Sequence, residues 1–164
     1  MSPGAYTELA FEDAIEQELL AHGWSKGGVT YRADLALDTG DLFTFIGATQ
    51  QTRWEKLVDL YGGDPNEAQK KFAHRVASEI DRRGVLDVLR QGIKDRGILI
   101  DLAYFRPGHT LAADALVEYR QNVLTVARQL HFSEKDKQQS VDLALFVNGL
   151  PVATIEPGST DVIR

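Results

Sequence analysis

The chain of 164 residues contains no cysteine. That excludes disulfide staples and thiolate metal sites, and it fits a cytoplasmic location. No apolar run approaches the ~20 residues that a membrane-crossing helix needs, so no membrane partner is expected. The opening MSPGAYTELAFEDAIEQELL is acidic, unlike the basic-then-apolar start of a secretory signal. Positive charge is also scarce: 18 Lys and Arg face 24 Asp and Glu, leaving a net charge of −6. An autonomous, tight nucleic-acid binder carries a basic stripe to neutralise phosphates, so that class is disfavoured. An enzyme that touches DNA through a carboxylate and metal site, with neighbouring domains holding the duplex, is not excluded. Internal repeats and low-complexity tracts are lacking too, and the length suits one domain of ordinary size.

Local signals divide the chain into helices first and strands later. A helix is expected from about Thr7 to His22, stopped by Gly23. The stretch GGVTYRADLALDTGDLF reads as irregular, because its Gly and Asp-Thr-Gly segments are turn signals. A second helix is expected over Gln50 to Leu60. A third opens at Asp64-Pro65, with Asp as cap and Pro in first position, and runs to Gly84. Val85 to Arg90 adds a short helix, and GILIDLAYF reads as a strand bounded by Gly97 and Pro107. Asn122 to Phe132 alternates like a strand, with a helix as the alternative, and SEKDKQQS reads as an exposed turn. VDLALFV and LPVATIE flank Asn148-Gly149, a strong hairpin signal. The expected fold class is α/β, with helices flanking a mixed sheet.

The first helix has an odd face. At about 100° per residue, Phe11, Ile15 and Leu19 form a stripe, yet Glu8 falls within that arc and Glu12 beside it. Carboxylates are rarely buried unless paired or bound to metal. Either these two lie at the stripe's edge and reach solvent or an arginine, or one is aimed at an active site.

The hairpin offers a second pair of acids, Asp142 and Glu156. Two such carboxylates on one face suit a hard divalent cation such as Mg²⁺. A two-residue Asn-Gly turn pairs Val147 with Leu150 and Asp142 with Ile155, which turns Glu156 away from Asp142. A three-residue loop, Val147-Asn148-Gly149, restores the parity. A metal site therefore predicts the three-residue loop, or a two-residue turn with a further bulge. The alternative is a hairpin whose end carboxylates are simply solvated.

EYRQNVLTVARQLHF followed by QQSVDLALFVNGLPVATIE closely resembles the N-terminal domain of type I restriction enzyme R subunits. That family reads as a strand with Asn and Gln, a Ser-(Ile/Val)-Asp-Leu strand, Phe-(Leu/Val)-Asn-Gly-(Ile/Leu)-Pro, and an apolar strand ending in Glu-Leu-Lys-Asn. TELAFEDAIEQELLAHGW is similar to its first helix. The resemblance is strong over residues 114–156, moderate over 6–24 and loose between. It implies a PD-(D/E)xK nuclease domain spanning 1–164, in which acidic residues and a lysine surround Mg²⁺. By position Asp142 and Glu156 are the motif acids, and Glu12, or else Glu8, is the helix carboxylate. In such a site the metal polarises the phosphate and activates water, while the lysine assists proton transfer and offsets charge. The implied partners are DNA, held weakly and without base reading, and the modification and specificity subunits of a restriction complex.

The chain departs from the pattern after Glu156, where Pro157 and Gly158 stand in place of an apolar residue and the lysine. Arg164 is a poor substitute, since arginine stays protonated. Residues 157–164 read either as an altered end to an ordinary domain or as the mark of an inactive relative. Cleavage is expected to be impaired, and a non-catalytic docking module with the same fold is the competing reading. No phosphate loop for ATP occurs, so the ATP-driven motor of a full R subunit is expected to lie outside this chain. The four histidines show no metal-ligand spacing. Lys70, Lys71, Arg75, Arg82 and Arg83 read as a solvated basic edge or a phosphate contact, and Trp24 and Trp54 as core or interface anchors. Asp101 reads as an inward-facing acid or an edge residue.

Overall fold

The structure is a computed structural model that describes residues 3–108, 113–131, 140–156 and 159–162. In chain order it contains α1 (Pro3–Ala21), β1 (Ser25–Lys26), β2 (Tyr31–Arg32), β3 (Leu37–Asp38), α2 (Thr39–Leu60) and α3 (Pro65–Arg83). Then come α4 (Val85–Gln91), β4 (Ile93–Asp95), β5 (Ile98–Ile100), α5 (Ala113–Arg120), β6 (Leu124–His131), β7 (Ser140–Val147), β8 (Leu150–Glu156) and β9 (Ser159–Val162). The main sheet has the order β1-β6-β7-β8-β9. β1 runs parallel to β6 and the other neighbours are antiparallel, so the α/β class with a mixed sheet is as expected.

α3 forms where its signals place it: Asp64 caps it by accepting from the Asn66 N–H at 2.9 Å, and Pro65 opens it. α2 differs from expectation, beginning at Thr39 rather than Gln50. The Asp-Thr-Gly segment is a helix cap, because the Asp38 carboxylate accepts from the Asp41 N–H at 3.4 Å. Leu42, Phe45 and Ile46 then bury one face, and that burial outweighs the weak helix preference of a segment rich in aromatic and β-branched residues. The helix kinks at Gln50 (φ −144°, ψ 36°). There the Gln50 amide takes the place of a neighbouring strand: Nε2 donates to the Asp101 carbonyl at 2.8 Å, and Oε1 accepts from the Asp101 N–H at 2.7 Å. For this reason the expected strand GILIDLAYF stops at Ile100, paired only with β4.

The core lies between the helices and one face of the sheet. Phe45, Leu57, Phe72, Val76, Val88, Ile100, Leu102 and Leu150 are fully buried within it. A smaller cluster of Ala127, Ala144 and Phe146 is covered by Tyr31 and Leu130. Tyr31 meets Phe146 edge-on, with ring centroids 5.8 Å apart, and burial pushes its hydroxyl pKa up to about 12. The expected SEKDKQQS turn lies largely outside the described residues, as do Pro157 and Gly158.

Candidate active site on the β7–β8 hairpin

The Asn148-Gly149 turn has two central residues, both left-handed (φ 51° and 81°), and pairs Val147 with Leu150. The three-residue loop is therefore not formed. Further along, however, Phe146 pairs with Pro151 and Leu145 with Ala153, so Val152 is an extra residue, a β-bulge. The bulge restores the parity that the turn removes. Beyond it Leu143 pairs with Ile155, the last pair of this ladder, and one more step in the same register would set Asp142 across from Glu156. Opposed residues of an antiparallel pair share a face. The tight turn and the bulge together thus achieve what a three-residue loop would have done.

The turn is anchored on three sides. Asn148 is fully buried; its Nδ2 donates to the Leu102 carbonyl and to Asn122 Oδ1, both at 2.9 Å, while its Oδ1 accepts from the Val123 N–H at 2.6 Å. The Asp38 N–H donates to the Gly149 carbonyl at 2.9 Å, and a Cβ on Gly149 would run into the Asp38 carbonyl oxygen. Asn-Gly is thus both a turn and a clamp that sets the height of the strands carrying Asp142 and Glu156. Asp142 is half-buried and Glu156 exposed. Gln129 Nε2 donates to Asp142 Oδ1 at 3.2 Å.

The helix carboxylates lie elsewhere. Glu12 is buried, and its Oε2 is 2.9 Å from Arg128 on β6, which also holds Asp13 at 2.5 Å. Asp13 and Glu12 together raise the Arg128 guanidinium above its ordinary pKa. Glu16 is buried as well, 3.7 Å from Lys26, while Glu8 is exposed. Among the described residues no three His, Asp or Glu side chains gather closely enough to share a metal ion, so neither Glu8 nor Glu12 joins Asp142 and Glu156 in one cluster. The apolar stripe also differs from expectation: Ile15 and Leu19 are half-buried, but Phe11 is exposed. The Glu12–Arg128 pair had no local signal, because the arginine lies 116 residues along the chain.

Several other charged residues are satisfied by their neighbours. Arg82 and Arg83 close on the buried Glu79 at 2.7 and 3.1 Å, and Arg83 also holds Asp87 at 2.6 Å, so the basic edge of α3 is largely neutralised in place. Asp101 pairs with Arg53 at 3.1 Å, and Trp54 packs in the core. A cleft of about 720 Å³ between the β2–β3 corner, the start of α2 and α3 is bordered by Arg32 and Lys70. Arg32 is paired with Asp34 and Lys70 with Glu67. Burial, and then the neighbouring Asp38, pushes the Asp41 carboxyl pKa up, against a lowering by the Thr125 hydroxyl. No described helix is long and apolar enough to cross a membrane.

No curated protein and no solved structure matches the chain. The profile of the family described as type I restriction enzyme R protein N terminus matches residues 5–157, which takes in most of α1, the Asn-Gly hairpin, Asp142 and Glu156. With nearly its whole length matched, the chain belongs to the family of type I restriction enzyme R protein N-terminal domains.

Proposed function

We propose that this domain is the endonuclease part of an R subunit, a Mg²⁺-dependent phosphodiester-cleaving site built on Asp142 and Glu156 and weakened by the missing lysine. The observation that carries the reading is the Val152 bulge, which brings Leu143 against Ile155, so that the register continued by one step opposes the two acids despite a turn that would otherwise separate them. Bulges recur beside active sites, where they re-aim a side chain. Two opposed carboxylates fit Mg²⁺, a cation that keeps several waters and is commonly held by one or two acids. When bound, such a cation supplies Lewis acidity toward the scissile phosphate and the attacking water.

The protein's own residues do the rest. Asp142 and Glu156 set the cation on the hairpin, and the Asn148 clamp fixes their height. Glu12, the helix acid of the family pattern, stays with Arg128, so the acids that support the reading are two rather than three. With Pro157 and Gly158 after Glu156, no lysine assists proton transfer, and cleavage is expected to fall by about 10²–10⁴. The partners are DNA, contacted without base reading, and the modification and specificity subunits.

A non-catalytic docking module is the second reading, favoured by the exposed apolar side chains Leu9 and Phe11 on α1 and Val117 and Tyr119 on α5. Calorimetric titration of Mn²⁺ separates the two. Binding by the wild-type chain that is lost in both Asp142→Ala and Glu156→Ala is expected for the nuclease reading. Absence of binding in the wild-type chain supports the docking module.

A further inference from the structure

Gln129 lies in the middle of β6 with φ +54°, a left-handed conformation inside a strand. An L-residue with a Cβ holds that conformation at a cost of about 1–2 kcal/mol, which glycine escapes. The neighbours on both sides pair normally with β7, Arg128 with Leu143 and Leu130 with Val141, but the step between them, Gln129 against Asp142, has no ladder pair. The twist has two consequences. Ala127 and Leu130, which regular alternation would send to opposite faces, both pack in the small cluster with Phe146. The Gln129 amide is delivered to Asp142, donating through Nε2 to Oδ1 at 3.2 Å.

Packing of Leu130 explains the twist but not the side chain. A glycine at 129 would permit the same backbone at no strain, whereas only a side chain with an N–H at that reach fixes Asp142.

We propose that Gln129 is a positioning residue: its strained backbone turns the amide onto Asp142 and holds that carboxylate in the rotamer that faces Glu156. The inference rests on the cation site proposed above. It takes one oxygen of Asp142 out of rotation and leaves the other for the cation, so that less ordering remains to be done when the cation arrives.

Because the strained backbone and the useful amide belong to one residue, stability and binding separate in the variants. Mn²⁺ calorimetry and thermal melting of the wild-type chain, Gln129→Gly, Gln129→Leu and Asp142→Ala test this. Gln129→Gly is expected to melt higher than wild type, since glycine relieves the strain, yet to bind Mn²⁺ about 3- to 10-fold more weakly. Gln129→Leu, without the amide but with the Cβ, is expected to lose the same affinity and gain no stability. A Gln129→Gly variant that binds Mn²⁺ as tightly as wild type overturns the proposal while leaving the cation site standing. So does one whose affinity and melting temperature fall together, because that marks a structural role only. No Mn²⁺ binding by the wild-type chain overturns the cation site, and this inference with it.

Discussion

α1 and α3 are helices of equal length, 19 residues each, and each buries glutamate, yet they are held to the molecule in different ways. α3 contributes Ala68, Phe72, Ala73 and Val76 to the main core, and its buried Glu79 is enclosed by arginines of its own helix. Among the described residues, α1 contributes to neither apolar cluster. Its buried positions are Glu12 and Glu16, facing Arg128 and Lys26 of the sheet, while Leu9 and Phe11 stay exposed. Burying one large apolar side chain gives about 1.5–3 kcal/mol, whereas a partly exposed ion pair gives about 0–1. The difference marks α1 as more easily released than α3, and α1 is the element that carries Glu8 and Glu12.

The comparison is sharpened first by Phe72→Ala. It should cost about 3–5 kcal/mol and lower the melting temperature of the whole chain, read by calorimetry or circular dichroism. Arg128→Met should cost less, about 1–3 kcal/mol, because it leaves Glu12 buried without its cation. Its effect should be local: amide exchange in 3–21 quickens while α2 and α3 keep their protection. Equal acceleration throughout the chain would break the distinction between the two helices. Since ion pairs help to hold α1, 1 M salt should move the wild-type chain in the same direction by a smaller amount.

The smallest expected effect concerns acid. Arg82 first, and then Arg83, hold the Glu79 carboxyl below its ordinary value of 4.5. A carboxyl depressed in the folded state stabilises the fold above its unfolded pKa, so this contribution is complete above about pH 4.5 and is lost as pH falls through the lower folded value. Glu79→Gln should therefore flatten the stability profile below pH 4.5 relative to wild type, measured by urea titration across pH. An unchanged acid slope would show that the arginine enclosure contributes nothing.

What the sequence discloses depends on whether the signal is local. The Asp64-Pro65 start of α3 and the Asn148-Gly149 turn are carried by residues whose backbone preferences act within a few positions, and both form as expected. α2 was missed over its first half because Asp38-Thr39-Gly40 serves equally as a turn and as a helix cap, and only burial of Leu42, Phe45 and Ile46 decides. The Val152 bulge is signalled only by its neighbour Pro151, since proline within a sheet is confined to edges, strand starts and bulges, whereas valine is an ordinary strand residue. Glu12 was legible as a misplaced acid, but not its partner: Arg128 becomes its neighbour only when β6 is laid beside α1. Gln129 was visible as part of a strand, and its left-handed backbone was not, because glutamine does not advertise such a conformation.

The account depends most on Asp142 meeting Glu156 across the sheet, and a cysteine-free chain allows that to be tested without any metal. Opposed strand residues have Cα atoms about 4.5–5.5 Å apart, within the span a disulfide bridges. A double variant Asp142→Cys with Glu156→Cys should form an intramolecular disulfide under mild oxidation. The double variant Asp142→Cys with Ile155→Cys, which matches the register without the Val152 bulge, should remain reduced. The reverse pattern would contradict the register and remove the structural basis of the proposed site.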